Sequence, residues 1–167
     1  MSMKESVLRD LLAGNLAKLV AGGLQGVYPD PFTGRALRAE GSYQVQSPVV
    51  LSQLAMSPAA QILCFFAMET DSMVRVGRRL FPGTPREEAL KLVVSANAEV
   101  LNFISSRLAW LLAKLEGIPG ADLTPPKVGN FSATQAFRIR AEEGVLFEFL
   151  CPSQNLAFRF AAAVQCL

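Results

Sequence analysis

Residues 95–103 read SANAEVLNF. Three of them, Ser95, Glu99 and Asn102, carry a hydroxyl, a carboxylate and a carboxamide. Steps of four and then three residues make these side chains neighbours on one stripe of a helix. Together they offer a surface that accepts and donates hydrogen bonds and carries one negative charge. The 167-residue chain contains no histidine. That removes the commonest general base, the commonest metal ligand and the Ser-His-Asp constellation together. The three cysteines, Cys64, Cys151 and Cys166, form no C-x-x-C pair, which argues against zinc and thioredoxin-like chemistry. Cys64 and Cys151 sit in the apolar runs QILCFFAM and LFEFLCP and read as core thiols, which fits a reducing cytoplasm.

The stripe belongs to the longest helix the sequence predicts. Thr84 is a natural N-cap, Pro85 suits the first helical position, and Glu87 completes a capping box. The helix runs to Glu116, with Gly117 as its stop. At about 100° per residue, Leu90, Val94, Leu101, Ile104, Leu108, Leu111 and Leu115 fall in one arc and form the core face. Lys91, Ser95, Glu99, Asn102 and Ser106 fall on the opposite side, towards solvent or a partner. Asn97 lands in the apolar arc and needs hydrogen-bond partners there. A polar stripe opposite an apolar one is what any surface helix shows. Asn at mid-helix is nevertheless a poor helix former, costing a few tenths of a kcal/mol against a good one.

The elements that must carry this helix follow from periodicity. Residues 4–21 repeat apolar positions with helical spacing, with Ser2 or Ser6 as cap and GGLQG (22–26) as the stop. YPDPFTG (28–34) is turn chemistry. Residues 43–56 and 60–68 read as two strands joined as a hairpin near SPAA, and 70–81 as a helix opened by Thr70 or Asp71. DLTPPKVGNF (122–131) is extended, and its prolines put it at a sheet edge or a strand start. TQAFRIRA (134–141) and GVLFEFLC (144–151) flank EEG as a second hairpin. NLAFRFAAAVQC (155–166) begins as a further strand. The expected architecture is α+β: a largely antiparallel sheet with a long N-terminal helix and a helix pair packed on it, one domain over 1–167. The glycines of 22–26 form neither a dinucleotide fingerprint nor a phosphate loop. The basic clusters RVGRR and FRIR are short and the net charge is only +2, so no nucleic-acid surface is expected. No apolar run approaches the ~18 residues of a membrane span.

Pro125 extends the stripe into a longer pattern, Ser95-x3-Glu99-x2-Asn102-x22-Pro125. This resembles the signature of the CheC/CheX/FliY family of chemotaxis phosphatases: Asp or Ser, then Glu, Asn and Pro at those intervals. All four positions match without a gap. ADLTPPKVG (121–129) looks like the family's segment around that proline, and the element order is similar to a CheX-type domain.

The resemblance implies hydrolysis of the aspartyl phosphate of a CheY-like response regulator. Asn102 would orient the attacking water, Glu99 would pair with the regulator's lysine, and Ser95 and Ser106 would be docking contacts. Pro125 would shape the strand entry. A carboxamide suits the first role because its oxygen accepts, its NH2 donates, and it adds no negative charge beside a phosphate. The chain would need no cofactor of its own, since the divalent cation, Mg2+, comes with the phosphorylated regulator. Two features depart from the pattern. Members often carry Gly four residues after the Asn, where Ser106 stands here, and 22–43 is long and turn-rich for its place. Both leave open a divergent member with altered partner choice, or an inactive docking domain. The first helix offers DLLAGN with Leu12 in the Glu position, so one site is expected, as in CheX. CheX is a homodimer built by sheet extension, which leaves room for a dimer here with the strand within 155–166 as the candidate edge.

Overall fold

The computed structural model describes residues 3–28, 33–37, 42–45, 49–117, 120–130, 137–140, 144–151 and 156–166. In chain order the elements are α1 (Met3–Val27), β1 (Thr33–Leu37), β2 (Ser42–Val45), β3 (Val49–Met56), β4 (Ala60–Met68), α2 (Thr70–Leu80), α3 (Arg86–Glu116), β5 (Asp122–Leu123), β6 (Lys127–Asn130), β7 (Phe137–Arg140), β8 (Gly144–Cys151) and β9 (Leu156–Cys166). Seven strands form one antiparallel sheet in the order β1-β8-β9-β4-β3-β5, with β6 also paired to β3. β2 and β7 form a separate antiparallel pair. The α+β expectation holds, with α1 and α3 packed on the sheet and on each other, and α2 packed on α3.

Strand parity decides what faces the helices. In register, Leu51 pairs with Phe66, Gln53 with Cys64 and Ala55 with Ile62, and the row continues to Phe160 and Ala162 on β9. Those apolar side chains join Leu16, Val20 and Leu24 of α1 and Val93, Val100, Leu101, Ile104, Leu108 and Leu112 of α3 in one core. Burial of this apolar surface, at roughly 25 cal/mol per Å2, is the main favourable term holding the layers together. The core arc of α3 is centred on these residues rather than on the full predicted arc. Leu90, Val94 and Leu111 are only half-buried, and Leu115 is exposed.

GGLQG does not stop the first helix, which continues to Val27. A Cβ built on Gly23 would lie 3.2 Å from the Phe103 ring and 3.3 Å from Ile104. Gly23 therefore lets α1 approach α3, and packing overrides its poor helix propensity. Ser6 lies inside the helix, and Ser2 is outside the described residues. The capping box on α3 does not form. Pro85 occupies the N-cap with no side-chain capping bond, while Gly117 ends the helix in the left-handed conformation at φ 66° as expected. Likewise α2 is preceded by Glu69, not capped by Thr70 or Asp71.

The β3–β4 hairpin and the edge position of 122–130 agree with the sequence reading. The other pairings do not. The run 43–56 is two strands belonging to different sheets, and β1 occupies part of what reads as turn. β7 pairs with β2, so no hairpin joins it to β8. β9 lies between β8 and β4, hydrogen-bonded on both sides, and is not an edge available for sheet extension. Residues 29–32 of the predicted turn, and 141–143 between the two late strands, lie outside the described residues.

Asn97 is 3 % exposed, and its Oδ1 accepts a hydrogen bond from the Tyr28 hydroxyl. Tyr28 follows the last turn of α1, so this bond ties α1 to α3 across the core. Burial raises the Tyr28 pKa, so the phenol stays protonated and remains a donor. Tyr28→Phe should cost about 1–3 kcal/mol in chemical denaturation, because it strands a buried carboxamide oxygen. Combining it with Asn97→Leu should restore most of that, since both polar partners are then gone.

Cys64 is fully buried, and burial pushes its thiol up to about 12, with the Ser105 hydroxyl pulling weakly the other way. A thiol with a pKa raised in the fold stays neutral through pH 7–9 and is no nucleophile there. In a variant whose only cysteine is Cys64, iodoacetamide should label unfolded protein readily. Native protein should label only as fast as it opens, at every pH in that window.

Candidate functional site

Asn102 sits where α3 turns from core to solvent. Leu101 beside it is fully buried and Phe103 is 40 % exposed, so Asn102 is half-buried at the boundary. Below it, on β3, Gln53 occupies a core-facing position between Leu51 and Ala55 and is only 2 % exposed. The Gln53 amide nitrogen donates to Asn102 Oδ1 at 2.9 Å and to the Thr124 carbonyl at 2.8 Å. Both of its hydrogens are thereby used. Its own oxygen is buried without a hydrogen-bond partner among the described residues, which costs roughly 1–3 kcal/mol at such a position.

Pro125 enters through Thr124. The pairs Ala55↔Leu123 and Ser52↔Lys127 bracket two residues on β3, Gln53 and Leu54, against three on the edge, Thr124, Pro125 and Pro126. That is a β-bulge, which bends an edge and re-aims the groups at the extra residue. Neither proline has an N–H to donate, so both suit the one stretch where the ladder is interrupted. Thr124 keeps the edge attached. Its N–H donates to the Leu54 carbonyl at 2.9 Å, and its Oγ1 accepts from the Leu54 N–H at 3.0 Å. Its carbonyl is left to face Gln53.

Around Asn102 a shallow surface hollow is lined by Glu99, Asn102, Phe103, Ser106, Arg107 and Trp110. Glu99 and Ser106 are exposed there. Trp110 is 57 % exposed, with the Lys114 ammonium 5.1 Å from its ring centre, and the Arg107 guanidinium stands 5.5 Å from that of Phe103. Ser95 shares the stripe but not the hollow, and its hydroxyl donates back to the Lys91 carbonyl at 3.1 Å. Pro125 does not line the hollow, and it reaches Asn102 only through Thr124 and Gln53. Of the expected residues, then, Glu99, Asn102 and Ser106 come together, while Ser95 and Pro125 flank them.

Gln53 and Thr124 were not legible as site residues, although one signal exists. In VVLSQLAM the alternate positions 51, 53 and 55 share a face, and Gln is the polar exception on it. Phe103, Arg107 and Trp110 follow from the helical wheel, three to four residues apart along the polar side. Among the described residues no group of three or more Cys, Asp or Glu is placed to hold a metal ion, and no helix is long and apolar enough to cross a membrane. Thr124→Val should cost about 1–3 kcal/mol by urea unfolding, because the Leu54 N–H loses its acceptor, whereas Thr124→Ser should stay close to the parent.

No family model matches the chain, and no curated protein matches its sequence. Solved structures do match its shape. CheX of Borrelia burgdorferi, solved in a complex with CheY, BeF3 and Mg2+, superposes with a TM-score of 0.62 at 14 % identity, covering 89 % of this chain and 94 % of that one. The chemotaxis protein CheX of Desulfovibrio desulfuricans gives 0.62 at 10 % identity, covering 92 % and 99 %. The middle domain of FliM from Helicobacter pylori (H. pylori) gives 0.55 at 9 % identity, covering 98 % and 94 %. The hollow with Glu99 and Asn102 thus sits on a chain that has the fold of the CheC/CheX/FliY family, with CheX proteins recurring among its structural neighbours.

Proposed function

We propose that this protein is a CheX-like phosphatase that hydrolyses the aspartyl phosphate of a CheY-type response regulator. The observation that carries the reading is the pairing of an exposed carboxylate, Glu99, with a held carboxamide, Asn102, one turn apart on α3. The CheX–CheY complex among the structural neighbours supports the class of partner.

Acyl-phosphate hydrolysis needs a water placed in line with the phosphorus, and positioning supplies most of the rate. The regulator brings its own Mg2+ and lysine around the phosphate. Docking lays α3 across that site. Asn102 then orients the water through its carboxamide, and Glu99 pairs with the regulator's lysine. An exposed ion pair is worth little in water, but desolvation on docking strengthens it and fixes its register. Ser95 and Ser106 extend the contact along the helix.

One observation favours a second reading, a docking domain without turnover. Ser106 puts a hydroxymethyl group into the hollow beside Asn102, at a position where family members often carry Gly. A complex that forms while the phosphate lifetime stays unchanged would select this reading.

The direct test mixes the protein with a phosphorylated regulator and follows phosphate loss. Asn102→Ala should slow it roughly a hundred-fold or more while leaving binding nearly intact. Glu99→Ala should weaken both docking and rate. Full activity in Asn102→Ala would overturn the mechanism.

A further inference from the structure

We infer that Gln53 is a positioning residue that holds the Asn102 carboxamide in one orientation, and that the Thr124–Pro125 bulge in turn sets Gln53. The inference rests on the phosphatase reading for its effect on rate, but not for its geometry.

The orientation follows from donors and acceptors alone. A carbonyl can only accept, so the end of the Gln53 side chain that faces the Thr124 carbonyl must be its NH2. The same nitrogen lies 2.9 Å from Asn102, so Asn102 must present its oxygen to it. One lone pair of Asn102 Oδ1 is thereby taken. Among the described residues the other lone pair and both Nδ2 hydrogens meet no partner, which leaves them for whatever meets the hollow. A free surface asparagine would exchange its oxygen and nitrogen ends and sample several rotamers. Here one of these arrangements is selected before any partner arrives. An amide that must both accept from a water and avoid a misdirected donor gains from such preorganisation.

The bulge supplies the fixed point. The residue before a proline is confined to extended backbone, which restricts Thr124. Its N–H and hydroxyl are both bonded to Leu54, so its carbonyl has no freedom to turn away. A chain of three links, one covalent and two hydrogen-bonded, therefore joins Pro125 to Asn102: Pro125 restrains Thr124, Thr124 orients Gln53, and Gln53 orients Asn102. The burial of Gln53, its oxygen without a partner among the described residues, points the same way. A residue chosen for stability alone at that core-facing position would be apolar, like Leu51 and Ala55.

Gln53→Met tests this, because it keeps the volume and removes the donor. The variant should fold with a modest loss of stability, since two acceptors lose their donor while the unpartnered oxygen goes too. Its kcat for phosphate loss should fall about ten-fold to about a hundred-fold with KM for the phosphorylated regulator little changed. In NMR the Asn102 side-chain amide should pass from a rigid, well-dispersed pair of resonances to a pair averaged towards random-coil shifts, with slower transverse relaxation and a lower heteronuclear NOE. A folded Gln53→Met variant with parental kcat overturns the inference while leaving the phosphatase reading intact. A parent protein with no activity overturns that reading and the rate effect together. The Asn102 resonances then still decide whether Gln53 holds the amide, and an unchanged Asn102 signal in Gln53→Met rejects it.

Discussion

Everything in this molecule depends on how α3 seats on the sheet. A 31-residue helix is about 46 Å long, and it must bury one face against β3, β4 and α1 while leaving the other in water. Val100, Leu101, Ile104 and Leu108 fix its rotation by filling the core, and the Gly23 contact fixes its distance from α1. Once the rotation is set, Asn102 has no choice of position. It lies at the waterline, with Gln53 beneath it and the hollow above. Glu99 and Ser106 then face outward on the same side.

That seating explains why a polar pair is tolerated inside an apolar interface. Asn97 and Tyr28 are buried, but the hydroxyl donates to the carboxamide oxygen, and their bond pins the end of α1 to the middle of α3. Gln53 and Asn102 are different. There the Gln53 donors are satisfied, and its oxygen has no partner among the described residues. The first pair reads as structure fully compensated. The second reads as stability given up where the surface chemistry is.

Much of this was legible in the sequence, and the failures share a cause. The α3 boundaries, the β3–β4 hairpin and the proline-marked edge all come from local signals: helical period, apolar runs, ring chemistry. Glu99, Asn102 and Pro125 come from spacing. What could not be read was which distant segments pair. β2 with β7 and the interior place of β9 depend on non-local competition among strands of similar composition. GGLQG failed for a related reason, because Gly23 answers to Phe103 and Ile104, some eighty residues away in sequence. Gln53 was visible as a polar residue on an apolar strand face. Its partners were not, since they lie 49 and 71 residues away along the chain.

Those two separations also set an order of events as the chain folds. A helix such as α3 can form from local contacts in well under a millisecond, whereas strand pairing across long separations waits for the chain to close large loops. Glu99 and Asn102 are therefore aligned on a helix early. The grip on the Asn102 carboxamide comes only when β3, α3 and the β5–β6 edge have all met. The competence of this site is thus a late property of the folding chain, absent from any partly assembled form that already displays the right residues on the right helix.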